Sequence, residues 1–110
     1  MTLKILSWNI WYDNNFKQVC DFLAVTNADI IGLQEIVPND PARDVGNFLK
    51  ELGYHEIIVP TKTLSDGRLM SNAIFSKYPI INTKTHLLST LESRTAVQAN
   101  INVNGKVLHV

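Results

Sequence analysis

The chain has 110 residues, 45% of them hydrophobic, which is enough apolar material for one small globular core. Ten acidic and ten basic side chains cancel, so no strong overall field draws the chain to nucleic acid or to an anionic membrane. A single cysteine, Cys20, excludes an internal disulfide framework and a cysteine-rich metal centre, and it fits a reduced, cytoplasmic setting.

The charge is unevenly placed. Residues 1–56 carry eight acids and four bases, and residues 57–110 carry two acids and six bases. Only a few apolar residues precede Ser7 and Asn9, which is too short for the apolar region of a secretory signal, and no run approaches the ~20 apolar residues of a membrane span.

The stretch KILSWNI reads as an extended strand over residues 3–10. Leu3, Ile5 and Ser7 form one row, ended by Asn9, and Leu6, Trp8 and Ile10 form the other, so a central strand covered on both faces is expected. Phe16, Val19, Cys20 and Leu23 then recur at helical spacing. Asn14 or Asn15 can cap the start of that helix, and Asn27 can end it in a left-handed conformation. Residues 28–36 form a second buried strand ending in IIGLQEI.

A strand, helix, strand unit of this length gives parallel strands with a right-handed crossover, so both strands end at the same edge of the sheet. Alternation places Asn9 in line with Ile5 and Glu35 in line with Leu33. The two polar side chains are therefore expected to converge outside the carboxyl ends of the strands, where open α/β sheets bind ligands. The bland alternative is two solvated strand ends.

Asp40 and Pro41 start a second helix with Val45, Phe48, Leu49 and Leu52 as its buried stripe and Gly53 as its stop. A third strand over residues 54–59, a polar loop PTKTLSDGRLMS, a strand over residues 72–76, a turn at Tyr78-Pro79 and a long strand over residues 80–88 follow. Thr95, Val97, Ala99, Ile101 and Val103 alternate with Ala96, Gln98, Asn100 and Asn102, the period of a strand with one wet face. Asn104-Gly105 signals a two-residue hairpin turn that would pair Val103 with Lys106, Ile101 with Leu108 and Ala99 with Val110. The chain ends inside the returning strand, as a short edge strand or as a longer domain cut after Val110.

LKILSWNIWYDN, DIIGLQEI, SNAIFSKYPI and SRTAVQANINVNGKVLHV, in this order, resemble the first half of the endonuclease/exonuclease/phosphatase superfamily, the DNase I-like proteins. The resemblance covers nearly the whole chain. It implies an α/β fold of the four-layer α/β/β/α sandwich type, with residues 1–110 as the N-terminal part of one such domain. It also implies hydrolysis of phosphate esters with Mg²⁺ or Mn²⁺, acting on nucleic acid, a lipid headgroup or an inositol phosphate. Glu35 corresponds to the metal-binding glutamate and Asn9 to the active-site asparagine beside metal and phosphate. A lone carboxylate suits Mg²⁺, which keeps several waters and takes one or two carboxylates plus phosphate oxygens.

Other positions remain open between a site and a structural role. Arg94 stands where several members have an arginine near the phosphate, with an ion pair to Glu92 as the alternative. Asn72 begins the strand leading into the sandwich and is a candidate for the site or its surroundings. Lys62 and Arg68 are either phosphate contacts or solvated loop charges. Asp13-Asn14-Asn15 is read as a helix cap, and His55, His86 and His109 as ordinary structural residues. Trp11 occupies a place where some nucleases carry an acid. The family's later histidine, Asp-x-Asn and Asp-His segments are not in these residues. Three readings follow: a metal-dependent phosphate ester hydrolase inactive as residues 1–110 alone, a non-catalytic binding module, or a plain structural domain. The first carries open strand edges that either meet a missing C-terminal half or self-associate.

Overall fold

Strand β1 (Ile5–Asn9) leads into helix α1 (Phe16–Thr26) and back into strand β2 (Ile30–Ile36), parallel to the first. The computed structural model describes residues 2–89 and 94–110, and the side chains of Ser89 and Arg94 lie outside the described part. Of the two candidate caps, Asn15 is the one used, its side chain accepting from the Gln18 amide. Asn27 ends the helix at φ 49° and returns its N–H to the Leu23 carbonyl. Lys4 and Lys77 place their ammonium groups 3.0 and 3.2 Å from the carbonyls of Thr26 and Asn27. Cations there complement the negative end of the helix dipole.

The single second helix expected from the sequence is split. A 3-10 turn (Pro41–Arg43) is capped by Asp40, and α2 (Val45–Glu51) is capped afresh by Asp44, whose carboxylate accepts from the Asn47 amide at 3.1 Å. Asp competes with helical backbone bonding and favours caps, which is why the helix restarts at this residue. Leu52 falls past the last turn and is 52% exposed, outside the stripe assigned to it.

The segment read as a polar loop is mostly paired strand. β3 (His55–Thr63) and β4 (Leu69–Ser76) form a hairpin whose register runs on through Lys62 opposite Met70 and Thr63 opposite Leu69. Asp66-Gly67 at its tip, with Gly67 at φ 89°, is the turn chemistry that closes it. The first sheet has the order β1-β2-β4-β3. β1 is thus an edge strand rather than a central one, and Ile5 is 57% exposed. Both its rows are apolar, but only Leu6 and Trp8 pack under the helices.

β5 (Ile80–Ser89), β6 (Arg94–Val103) and β7 (Lys106–His109) form a second, antiparallel sheet. Asn104 and Gly105 take φ 52° and 89°, and the hairpin pairs Val103 with Lys106 and Ile101 with Leu108 as expected. Ala99 and Val110 exchange two backbone bonds of 2.9 Å.

Two cores result. Ile31, Leu33, Ala73 and Phe75 of the first sheet meet Val19, Leu23, Val45 and Leu49 of the helices, while Ile30 and Ile74 on the other face meet Ala99, Ile101 and Val103 of the second sheet. Ala99 and Ile101 are fully buried. The apolar row of β6 is covered by the first sheet of the same chain. The described residues thus form helices, first sheet and second sheet in three layers of an α/β fold. Among them no helix is long and apolar enough to cross a membrane.

Tyr54 fastens the start of β3 to the end of α1. Its hydroxyl donates to the Ala28 carbonyl at 2.5 Å, and Ala28 is fully buried. Burial, with a smaller contribution from the Asp29 charge, pushes the Tyr54 pKa up. The folded protein therefore holds this proton more tightly than the unfolded chain, so stability is complete below pH ~10 and falls as pH rises further. Tyr54→Phe should lower stability by about 1–3 kcal/mol, because the buried carbonyl loses its donor, and should flatten that alkaline decline in urea melts.

Candidate active site

β2 does not run straight into the site. Leu33 pairs with Ala73 but Ile36 pairs with Ser71, so three steps along β2 answer two along β4, and the extra residue is a β-bulge. Within it Glu35 adopts φ 59°, a left-handed conformation uncommon for any residue but glycine.

The bulge decides where the carboxylate goes. Leu33 and Ile36 are both fully buried in the helix-side core, and Gln34 pairs with Asn9. Ile5 pairs with Ile30 and Trp8 with Leu33, so Ile5 and Leu33 occupy opposite faces of the sheet. Plain alternation would send Glu35 toward the helix-side core, away from Asn9. The convergence expected from the sequence does occur, but the extra left-handed residue produces it, and the alignment of rows does not.

Asn9 is bonded at both ends of its amide. Its Nδ2 donates to Glu35 Oε2 at 2.5 Å, and its Oδ1 accepts from the Trp11 backbone amide at 3.1 Å. Trp11 is itself left-handed, at φ 61°. The Trp11 carbonyl accepts from the Asn14 amide at 3.1 Å and from Asn14 Nδ2 at 2.8 Å. Such residues cost on the order of 1–3 kcal/mol each and persist only where their surroundings over-determine them; here both peptide groups of Trp11 are held.

Glu35 opens onto a cleft of about 250 Å³ between the two sheets, lined with it by Asn9, Gln34, Thr61, Asn72 and Thr95. Asn72 lies where the sequence expected a site residue, and its Nδ2 donates to the Thr95 carbonyl at 2.7 Å, tying the first sheet to the second. Gln34, Thr61 and Thr95 were not singled out by sequence. Gln34 was legible as the neighbour of Asn9, had the edge pairing been drawn; Thr61 was hidden in the supposed loop. The Arg94 side chain lies outside the described residues, as does Glu92.

Arg68 is committed elsewhere. Its guanidinium lies 2.9 Å from Asp13, 2.9 Å from Asp66 and 3.5 Å from Asp40, donates to the Tyr12 carbonyl at 3.3 Å and covers the Tyr12 ring at 5.6 Å. It clasps the β3–β4 hairpin to the loop after β1 and is not free to meet a phosphate. Lys62 is exposed and borders a second hollow of about 600 Å³ with Tyr12, Asp13 and Arg68. Of the histidines, His86 contacts Gln98 and His109 contacts Asn100 on the outer face of the second sheet. Cys20 is buried, and burial raises its thiol pKa, which makes it inert rather than nucleophilic. Among the described residues no three His, Cys, Asp or Glu side chains form a metal-binding group by themselves.

The left-handed bulge has a measurable signature. In an ordinary strand alanine is favoured over glycine by about 0.5–1 kcal/mol, whereas an L-residue forced left-handed pays roughly 1–2 kcal/mol. Glu35→Gly should therefore be more stable than Glu35→Ala by about 1 kcal/mol in urea unfolding, with the sign reversed from that of a regular strand position.

The family model described as Endonuclease/Exonuclease/phosphatase family matches residues 6–110. Among solved structures, the human Nocturnin catalytic domain with bound sulfate superposes with a TM-score of 0.80 at 16% identity, covering 97% of this chain and 47% of that one. D. rerio TDP2 complexed with single strand DNA product gives 0.71 at 22% identity, covering 97% and 43%. ANGEL2, a 2′,3′-cyclic phosphatase, gives 0.73 at 16% identity, covering 90% and 36%. The chain thus spans less than half the length of these three structures. A search of curated proteins finds no match. With the family model matched from Leu6 to the last residue, the chain belongs to the endonuclease/exonuclease/phosphatase family.

Proposed function

We propose that these residues supply the Asn9–Glu35 part of a divalent-metal-dependent hydrolase of phosphate esters, as the N-terminal portion of a single domain. The observation that carries this reading is Glu35 turned by its bulge into the cleft, with one carboxylate oxygen held by Asn9 at 2.5 Å. Nothing in core packing requires a glutamate there in a left-handed conformation. Strain of this kind concentrates at functional sites.

The donor set fits Mg²⁺ or Mn²⁺. One carboxylate accompanied by the amide oxygens and hydroxyl groups of Gln34, Asn72 and Thr95 offers oxygen donors of the kind a hard cation takes. Glu35 would hold the ion, with the Asn72 amide oxygen beside it. A bound ion supplies stabilisation of the charge that develops on phosphoryl oxygens. Asn9 restricts Glu35 to one orientation and brings no charge of its own to a site that must admit an anion. Asn72 fixes the separation of the two cleft walls through Thr95. Arg94, next in sequence to Thr95, is the proposed phosphate ligand on the second sheet, and Lys62 a peripheral one. ANGEL2 is a 2′,3′-cyclic phosphatase and the TDP2 structure holds a single strand DNA product, and both support the substrate class.

Among the described residues lining the cleft, Glu35 is the only carboxylate and none is a histidine. Among the described residues lining it, no second carboxylate or imidazole stands ready to activate water, and such assistance is worth about 10² to 10⁴ in rate. The same observation favours the second reading, a binding module that has kept the site without turnover. Residues 1–110 should therefore bind Mg²⁺ or Mn²⁺ but hydrolyse bis-p-nitrophenyl phosphate no faster than solvent. Glu35→Gln keeps the shape of the side chain and removes its charge. Calorimetric titration with Mn²⁺ should show affinity lost in Glu35→Gln with a thermal melt no lower than wild type; equal affinity in the two proteins ends the metal-site reading.

A further inference from the structure

Trp11 is the structural oddity that hydrolysis as outlined does not use. It is 56% exposed, yet its backbone is held left-handed by bonds at both peptide groups, from Asn9 on one side and Asn14 on the other. A bulky aromatic in that conformation is a genuine outlier, and burial does not account for it. Its ring lies 6.3 Å from that of Tyr12, tilted by 59°. Tyr12 in turn is capped by the Arg68 guanidinium at 5.6 Å, so the aromatic pair rests on a fixed support.

In sequence, Thr61 of the Glu35 cleft is followed by Lys62 of the second hollow, and Trp11 stands between Asn9 of the cleft and Tyr12 of the hollow. The two hollows share no lining residue, and it is the Asn9 amide, bonded both to Glu35 and to the Trp11 backbone, that ties Trp11 to the cleft. In the second hollow Asp13 and Asp66 are offset by Arg68, 2.9 Å from each, and by Lys62, so the charged residues that line it sum to zero. With no net positive charge in its lining, that hollow suits an uncharged group rather than a string of phosphates.

We propose that Trp11 is a stacking platform for the base of a nucleoside phosphate ester whose phosphate lies in the Glu35 cleft. This rests on the phosphate-ester reading and narrows its substrate to nucleotides, as against inositol phosphates or lipid headgroups, which have no aromatic face to stack. The ring supplies selectivity for the base and takes no part in bond breaking. Asn9 sets both the Glu35 carboxylate and the Trp11 backbone, so one amide fixes the phosphate site and the base platform relative to each other.

The test is calorimetric titration of the protein, with Mg²⁺ present, against adenosine 5′-monophosphate and ribose 5-phosphate, which differ by the base. Stacking on an aromatic side chain corresponds to about 5- to 150-fold in affinity, and the nucleotide should bind tighter by that factor. Trp11→Asn removes the ring while keeping a residue that tolerates the left-handed backbone; it should abolish the preference and leave ribose 5-phosphate binding unchanged. Trp11→Phe should retain most of it. The intrinsic fluorescence of Trp11, read in a Trp8→Phe background, should be quenched by the nucleotide and not by the sugar phosphate. Equal affinities in the wild type, or a preference that survives Trp11→Asn, overturn the platform alone, provided ribose 5-phosphate binds and needs Glu35. If neither ligand binds, the platform and the phosphate-ester reading fall together.

Discussion

A single side-chain amide holds this site in shape. Asn9 donates to Glu35 and accepts from Trp11, and both partners sit at positive φ. Two strained residues cost several kcal/mol together by the order of magnitude for such conformations, so their geometry must be imposed from outside. For Glu35 the imposing groups are Leu33 and Ile36, fully buried on either side of the bulge and anchored in the same core. For Trp11 they are the paired bonds from Asn14 to its carbonyl. Both constraints converge on Asn9, at the end of an edge strand where neither face would otherwise fix its side chain.

The cleft around Asn9 is framed by contacts between segments far apart in sequence. Arg68 draws Asp13, Asp40 and Asp66 together, and Asn39 adds bonds to the Gly67 carbonyl at 3.2 Å and to the Leu69 amide at 2.8 Å. The hydrogen bond that Arg68 donates to Asp13, the largest influence, and the neighbouring Asp66 raise the Arg68 pKa, while bonds from Arg68 depress that of Asp66. The hairpin carrying Thr61, Met70 and Asn72 is thereby fixed against the loop carrying Trp11 and Tyr12. Asn72 then carries the connection across to the second sheet through Thr95. Arg68, a basic residue of the second half, thus contributes to the site by holding its walls.

Much of this could be read from the residues. The β-α-β start, a cap at Asn14 or Asn15 and another at Asn27, and the Asn104-Gly105 hairpin with its register all follow from local turn chemistry and two-residue alternation. What could not be read has a common cause. Alternation assumes an uninterrupted ladder, and a bulge at Glu35 is invisible to it, so convergence was expected for a reason the structure replaces. β1 has two apolar rows whether or not a neighbour covers them, which made an edge strand look central. Thr61 and Met70 sit in a polar stretch whose strand character depends on cross-strand partners rather than on its own composition. Arg68 could be recognised as a cation, but the three carboxylates that claim it come from three separate segments.

Paramagnetic broadening by Mn²⁺, mapped onto the backbone amide resonances, tests the central claim that the Asn9–Glu35 pair forms a metal-accepting phosphate site. At sub-stoichiometric Mn²⁺ the account predicts that amides of residues 9, 11, 34–36 and 72 broaden first, and that Glu35→Gln abolishes the pattern while the rest of the spectrum is retained. Broadening centred instead on Asp13, Asp40 and Asp66, or unchanged by Glu35→Gln, would contradict it.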